Sequence, residues 1–581
     1  MSFLSRIMVL KSRAHFSAGS RGLGKDKGTF EGTRKRKSAQ AKNRVGLLIV
    51  GFAAFYCVIG GRLVQYGVAQ PLTTSAILPA DRLLASRPDI VDRNGAVLAT
   101  DIRTVSLFAE PHKIVDADEV IEKLSTVLHD LDVKSTYSKL KSNSRFQWLR
   151  RQLSPKQQSQ ILALGIPGIG FRPEKRRFYP GGPTAAHVVG YVNIDNRGVA
   201  GMERYIDSQG LADLASVGMT STQPLEPVKL SIDLRVQSIV RDVVSEAIVK
   251  YKAIGAGAVV IDAHTGEILG MASAPDFDPN EPNAEGAEQG WMNRMSNGTF
   301  EMGSTFKSFT LAMGLDDGKM NLNSTFDARF PIRIGGFTIK DFHGKGRVLS
   351  VPEIFQYSSN IGTAKIADAV GIDGHKEFLT RLGLLTRMKT ELPEVAQPSQ
   401  PRVWKKINSI TISFGHGVST TPLQTAVAGV ALVNGGKYLP PTFLPRTREE
   451  ADKIATQVLK PSTSKDMRFL FEWNGVNGSG RNARVAGFNV GGKTGTADKV
   501  VNGRYAHDKN FNAFLAAFPM DNPQYVVLSF ADEPKTDKGN GAALAATSAA
   551  PMVKEIISRS APILGVKPKF GNDGSALLVS Y

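Results

Sequence analysis

The stretch Glu301-Met302-Gly303-Ser304-Thr305-Phe306-Lys307 places a hydroxyl and an amine three residues apart at the head of a helical pattern. Phe306, Phe309 and Met313 recur at three- and four-residue steps, and Gly318 offers a stop. A helix starting near Ser304 carries Lys307 on the same face, one turn on, within reach of the hydroxyl. The positive end of the helix dipole disfavours the charged form of a first-turn lysine. A neutral lysine can take the serine proton, which activates an otherwise poor nucleophile. The plain alternative is a capped amphipathic helix with a surface lysine, and Ser-x-x-Lys alone does not decide between them.

Two further groups join it. Ser358-Ser359-Asn360 sits between an expected helix at 351–357 and another at 361–370, a corner from which side chains can point into a cleft. Lys493-Thr494-Gly495-Thr496 lies in a glycine-rich strand, where alternation puts Lys493 on one face and Thr494 and Thr496 on the other. Gly495 is expected to let a ligand backbone approach that strand. The same residues admit a rival reading, because Gly487 to Thr494 matches G-x-x-x-x-G-K-[ST], a phosphate-binding loop. That loop needs a helix directly after the lysine. Residues 495–503 read instead as strand and then turn.

The elements that would position these residues follow from patterning. Residues 228–232 open as a strand, 234–251 are helical, and 257–262 and 266–271 form a hairpin. Mostly helices are expected to about residue 435. Strands are expected at 485–497, 511–518 and 525–530, and a helix at 543–558. Strands at both ends with helices between predict an α+β domain over 226–566, one antiparallel sheet built from distant segments and flanked by helices. Residues 219–227, with two prolines and four hydroxyl residues, read as a boundary. Before it, 67–225 reads as an α+β accessory domain, with helices at 114–131 and 154–164 and a hairpin turn at Asn94-Gly95. Residues 567–581 form a tail.

The chain has 581 residues and a formal net charge of +19. Residues 1–44 hold twelve Lys and Arg against Asp26 and Glu31, so much of the charge is one polar, disordered arm. Such an arm suits nucleic acid or anionic lipid. The uncharged run at 45–61, extended past Arg62 to about residue 66, favours lipid and reads as one membrane-spanning helix. A signal peptide fits less well, given the long lead and the Gly60-Gly61-Arg62 junction. The basic flank then stays cytoplasmic and the rest is exported. The single cysteine, Cys57, lies in the span, so the exported part has no thiol for a disulfide.

Ser-x-x-Lys, Ser-x-Asn and Lys-Thr-Gly in this order resemble the motif set of the penicillin-recognising serine enzymes. The stretches 87–99, 177–180, 198–203, 303–307, 358–362, 413–424 and 491–497 are similar to class B penicillin-binding proteins, and Ser-Ser-Asn-Ile-Gly resembles their septal branch. The resemblance implies a peptidoglycan D,D-transpeptidase of the bacterial inner membrane, single-pass, with a pedestal or dimerisation-type domain and a periplasmic penicillin-binding domain. It implies that Ser304 is acylated by a D-alanyl-D-alanine donor and that Lys307 is the base. It further implies that Ser358 relays a proton, that Asn360 holds substrate and Lys307, and that Lys493 supplies positive field. By the same resemblance, Thr494, Gly495 and Thr496 are expected to bind substrate, and the Ser304 and Thr496 N–H groups to form the oxyanion hole. No metal or organic cofactor is implied. Implied partners are donor and amine-acceptor stem peptides, β-lactams, a membrane-embedded glycan polymerase and other division proteins, with no nucleic acid. Elongation-type transpeptidase, D,D-carboxypeptidase, β-lactamase and antibiotic sensor remain alternatives. No glutamate loop for deacylation is recognisable between Asn360 and Lys493, and no sensor domain precedes the span. Two departures from the family stand out. Ser413-Phe414-Gly415-His416-Gly417 replaces tyrosines; His416 is read either as lining the cleft or, preferably, as a packed surface residue, and is given no role. Val490-Gly491-Gly492 replaces a usual alanine and is expected to loosen its strand.

Overall fold

The computed structural model describes residues 50–61, 87–210, 225–501, 503–536 and 543–570. Residues 50–61 form a helix and belong to a unit separate from the rest. They fall inside the expected span, whose remainder lies outside the described residues, as do the arm, the boundary at 219–224 and most of the tail. Among the described residues no helix is long and apolar enough to cross a membrane.

The accessory domain is built on β1 (Ile90–Val91), β2 (Val97–Ala109), β3 (Gln147–Leu153), β4 (Ile169–Phe178) and β5 (Val228–Lys229). The long β2 pairs antiparallel with β1, β3 and β4, while β5 runs parallel to β1. The turn between β1 and β2 is the expected one. Gly95 takes φ +89°, and the Asp92 carboxylate accepts from the Asn94 and Ala96 N–H groups, each at 2.8 Å. Helices α1 (Ala117–Ser125), α2 (Val133–Leu140) and α3 (Pro155–Ala163) bury Val120, Leu124, Leu140 and Ile161 against Leu107, Leu149 and Leu153 of the sheet. The expected helix at 114–131 is thus shorter, starting at the Asp116 cap and ending near Thr126. Helix α4 (Gly201–Ser208) carries Glu203 into the interior. There it accepts from Arg87 Nε at 2.9 Å and Arg177 Nε at 2.6 Å, and Arg177 also reaches Asp101 at 3.1 Å. The separate stretches at 87–99, 177–180 and 198–203 therefore meet in one buried ion cluster.

The second domain begins with α5 (Leu234–Tyr251), capped by the Asp233 carboxylate, then β6 (Gly255–Asp262) and β7 (Ile268–Ala274). The helices that bear on the site are α6 (Lys307–Asp316), α7 (Val351–Tyr357), α8 (Asn360–Val370), α9 (Pro422–Val433) and α10 (Pro461–Asn477). Then come β8 (Gly491–Val501), β9 (Arg504–Phe518), β10 (Tyr525–Asp532) and α11 (Ala549–Ser560). The sheet order is β8-β9-β10-β6-β7, every pair antiparallel. The register places Lys493, Leu515, Leu528, Val259 and Met271 in one row. The four apolar members of that row pack into the core with Phe309, Ala312 and Met313 of α6 and with α9 and α10. The next row, Thr494, Phe514, Ser529, Ala258 and Ala272, faces the other way, and its apolar members pack against α5 and α11. Period-2 alternation thus puts Lys493 beneath the helices.

Several boundaries differ from the expectation. Residues 485–490 are not strand, and β9 begins at Arg504, well before Phe511. The last helix starts at Ala549. Short strand pairs at 325–350 interrupt the expected helical stretch. No helix follows Lys493, which continues as β8, so the phosphate-loop geometry does not form. Gly491 does not loosen the strand. An added Cβ there would lie 2.7 Å from the Phe471 backbone of α10, so the glycine lets helix and strand pack closely.

Candidate active site

Residues Gly303–Phe306 form a 3₁₀ turn that leads into α6 at Lys307. The turn lies against the edge strand β8. Gly303 has φ +52° and an added Cβ would sit 2.6 Å from the Thr496 carbonyl oxygen. A Cβ on Gly495 would sit 2.3 Å from the Met302 carbonyl oxygen. The two glycines therefore let the serine-bearing turn press onto the strand. The approach that Gly495 was expected to offer a ligand is taken by this chain's own backbone.

Helix α7 follows from its sequence. Ser350 and Glu353 make a capping box, and Pro352 stands in the first turn. It ends on Ser358, which takes the left-handed conformation with φ 58°. That residue turns the chain so that α8 starts at Asn360, with Ser359 capping Gly362 N–H at 2.9 Å. Lys307 Nζ reaches three atoms of this corner: the Ser358 carbonyl oxygen at 2.5 Å, Ser358 Oγ at 3.0 Å and Asn360 Oδ1 at 2.6 Å. Lys493 Nζ arrives from the sheet side, 3.1 Å from Ser358 Oγ, and also donates to the Thr494 carbonyl at 3.1 Å. It lies over the Phe355 ring of α7 at 5.8 Å.

Both lysines are buried. Burial, reinforced by the charge of Lys493, pushes Lys307 well below the usual lysine range, while Asp341 opposes the shift. Burial alone lowers Lys493 to about 7. Two ammonium groups sharing one hydroxyl oxygen repel each other, so Lys307 is the one that gives up its charge first. A neutral Lys307 has two N–H bonds for its two carbonyl-type acceptors and one lone pair left for a hydroxyl proton.

Ser304, Lys307, Ser358, Asn360, Thr494 and Thr496 line one cleft of about 970 Å³, with Lys493 behind it. The structure thus brings together residues from α6, the α7–α8 corner and β8. Sequence reasoning missed the supports. Asp341 accepts from Ser359 Oγ at 2.7 Å and from Ile361 N–H at 2.9 Å. Asn360 donates its other end to the Lys340 carbonyl at 2.9 Å. Thr494 Oγ1 bonds to Ser479 Oγ at 2.6 Å, and Thr496 Oγ1 accepts from Ala545 N–H at 3.2 Å. None of these partners falls in a recognisable motif, and only their spatial convergence reveals them. His416 also departs from expectation. It lines the cleft, its ring packs against Tyr505 and Phe414, and its Nδ1 is buried. No metal-type cluster of His, Cys, Asp or Glu occurs among the described residues.

Comparison with known proteins adds an independent line. Residues 256–558 match the penicillin binding protein transpeptidase domain, and 82–214 the penicillin-binding protein dimerisation domain. A probable peptidoglycan D,D-transpeptidase FtsI of Caulobacter vibrioides is 38% identical over 558 residues, covering 93% of this chain and 92% of that protein. A probable peptidoglycan D,D-transpeptidase PenA of Neisseria gonorrhoeae is 34% identical over 564 residues, covering 92% and 95%. The peptidoglycan D,D-transpeptidase FtsI of Escherichia coli K12 is 30% identical over 497 residues, covering 81% and 83%. The crystal structure of penicillin binding protein 3 from Mycobacterium tuberculosis, complexed with aztreonam, shares the fold with a TM-score of 0.64. It is 24% identical, covering 84% of this chain and 97% of that one.

Proposed function

Because the chain belongs to the class B penicillin-binding proteins of the septal, FtsI-like type, we propose that its cleft cross-links peptidoglycan stem peptides through an acyl-enzyme on Ser304. The observation that carries this reading is the Ser358 hydroxyl held between the two buried amines, Lys307 at 3.0 Å and Lys493 at 3.1 Å.

Ser304 Oγ attacks the carbonyl carbon between the two terminal D-alanines, and Lys307 takes its proton into the free lone pair. The N–H groups of Ser304 and Thr496 receive the developing oxyanion. One such donor is worth about 10²–10³ in rate. Ser358 Oγ passes a proton from the lysine side to the departing amine. Lys493, with the Thr494 and Thr496 hydroxyls, draws the donor's terminal carboxylate. An acceptor amine then displaces Ser304. The expected arm (1–44), anchor (45–66), pedestal (67–225), transpeptidase domain (226–566) and tail (567–581) complete the reading, with the anchor in the inner membrane and the cleft in the periplasm. β-Lactams and donor and acceptor stem peptides bind the cleft, and a glycan polymerase and other division proteins are its proposed membrane partners.

Labelling with a fluorescent penicillin tests the reading. The wild-type chain forms a stable adduct, and folded Ser304→Ala forms none. An adduct in folded Ser304→Ala moves the nucleophile elsewhere, and rapid loss of the wild-type adduct turns the reading to hydrolysis.

A further inference from the structure

The cleft is electrically lopsided. Lys307, Lys345 and Arg481 line it, with Lys493 just behind, and Asp498 is its single carboxylate among the described residues. Along β8, Lys493 and Asp498 lie five residues apart, roughly 16 Å at strand rise, and Thr496, packed under Gly303, falls between them. Along the strand, therefore, the carboxylate stands on the opposite side of Thr496 from Lys493, and the serine-bearing turn packs on Thr496 between them. At the acidic end, Asp498 Oδ2 is 2.6 Å from His507 Nδ1, and the His416 ring stands edge-on to Tyr505 at 5.6 Å. The Tyr505 hydroxyl lies 3.3 Å from both Glu301 oxygens, and Glu301 accepts from Gly417 N–H at 2.7 Å. The position of His416 is thereby fixed from both sides.

We propose that Asp498 receives the ammonium group of the acceptor stem and that His416 takes its first proton. The proposal rests on the transpeptidase reading above.

An ammonium cannot attack a carbonyl, because its nitrogen has no lone pair. Transfer of one proton to the imidazole gives the neutral amine and imidazolium. The amine nitrogen then bonds to the acyl carbon, the carbon–Oγ bond of Ser304 breaks, and the second proton leaves through Ser358. Ser304 Oγ regains a proton from Lys307, and the imidazolium releases its own to solvent. One amide forms, one ester is consumed, and one proton is released.

With Nδ1 sealed off, the exchangeable nitrogen of His416 is Nε2. Burial, then the charge of Lys307, holds the ring below the usual histidine value, while Asp498 and the Phe414 carbonyl oppose this. Tyr505 and Glu301 are the other titratable groups around it. The ring is thus neutral at neutral pH, and its lowered basicity makes a proton taken in passing easy to release.

The test uses the full chain, a D-alanyl thioester donor and two acceptors: Nα-acetyl-lysine amide, which is an ammonium at pH 7.5, and hydroxylamine, which is neutral there. Asp498→Asn is expected to raise KM for the lysine amide about three- to five-fold, the size of a partly exposed ion pair, and to change KM for hydroxylamine by a smaller factor. His416→Gln is expected to lower kcat for the lysine amide about 10-fold or more and to remove an acid limb from its pH profile. In the wild type, added NaCl raises KM for the lysine amide alone. Equal effects on both acceptors, or none, overturn the proposal. The wild-type salt and pH responses decide it even if a variant folds poorly. Penicillin labelling run in parallel separates this failure from failure of the acyl-enzyme reading itself.

Discussion

Ser358 holds a left-handed backbone, φ 58°, which costs a non-glycine residue on the order of 1–3 kcal/mol. In return its carbonyl and hydroxyl oxygens both face Lys307. The pairing of two buried amines sets the pH dependence. Acylation in our reading needs Lys307 neutral and Lys493 charged. Because Lys307 is depressed well below its usual value, the rate of acylation by penicillin rises with pH through that low value, far under the free lysine value of about 10.4. It falls again as Lys493 loses its proton at about 7. The profile is therefore a bell whose two limbs belong to the coupled pair. Lys307→Arg is expected to lower the acylation rate by about 10² or more, because a guanidinium gives up no proton at working pH. Lys493→Arg keeps the positive field, retains more activity and loses the alkaline limb. Acylation rates from pH 5 to 10 on matched folded samples check both. Equal activity in the two variants, or an alkaline limb that survives Lys493→Arg, removes the assignment of base and field.

Between elements, the decisive contact is the serine-bearing turn against β8. Gly495→Ala puts a methyl 2.3 Å from the Met302 carbonyl oxygen. The turn must shift, and a displacement of about 1 Å is expected to cost about 10² in acylation rate, against only about 1–3 kcal/mol of stability. Stopped-flow acylation and thermal melting of the same variant separate the two effects. In the pedestal, Glu203→Ala removes the carboxylate that Arg87 and Arg177 share and leaves Arg87 with Asp207 and Arg177 with Asp101. A loss of about 1–3 kcal/mol is expected by denaturant titration, for buried guanidinium N–H groups that lose an acceptor. These elements were unequally legible in the sequence. The start of α7 was readable because Ser350, Pro352 and Glu353 declare it locally, and the Lys493 row followed from alternation. For His416 the cleft was one of two readings and not the preferred one, because the walls around it, Tyr505 above all, come from a strand far along the chain. Residues 485–490 carried apolar residues that suggested a strand. They instead reach β8 beneath the C-terminal segment, where Gly487 accepts from Lys569 N–H at 2.7 Å. The stretches 87–99, 177–180 and 198–203 were visible singly as family-like segments, and their meeting around Glu203 needed the fold.

For the molecule as a whole, topology can be tested directly. A reporter fused after Lys42 is expected to be active only in the cytoplasm and one after Thr222 only outside it. Cytoplasmic activity at Thr222 would remove the anchor and the periplasmic placement together. The pedestal and the cleft-bearing domain are tied through the β1–β2 turn. Asp92 accepts from Leu234 N–H at 3.0 Å, and Arg93 N–H donates to Ile232 at 2.9 Å. The order of strands carries a further consequence, this time for biosynthesis. β6 takes β10 as its neighbour, and some 260 residues of chain must be made between them. At roughly 5–20 residues per second, the nascent chain waits on the order of tens of seconds with one side of a Gly-Ala-Gly-Ala-Val-Val-Ile strand unpaired. Such an edge invites pairing with any other passing strand. The cleft cannot be assembled in stages, since β8 reaches the sheet only through β9 and β10. A ribosome that stops before Tyr525 therefore releases a sticky, inactive fragment, and the quality-control load of this protein falls on its amino-terminal half.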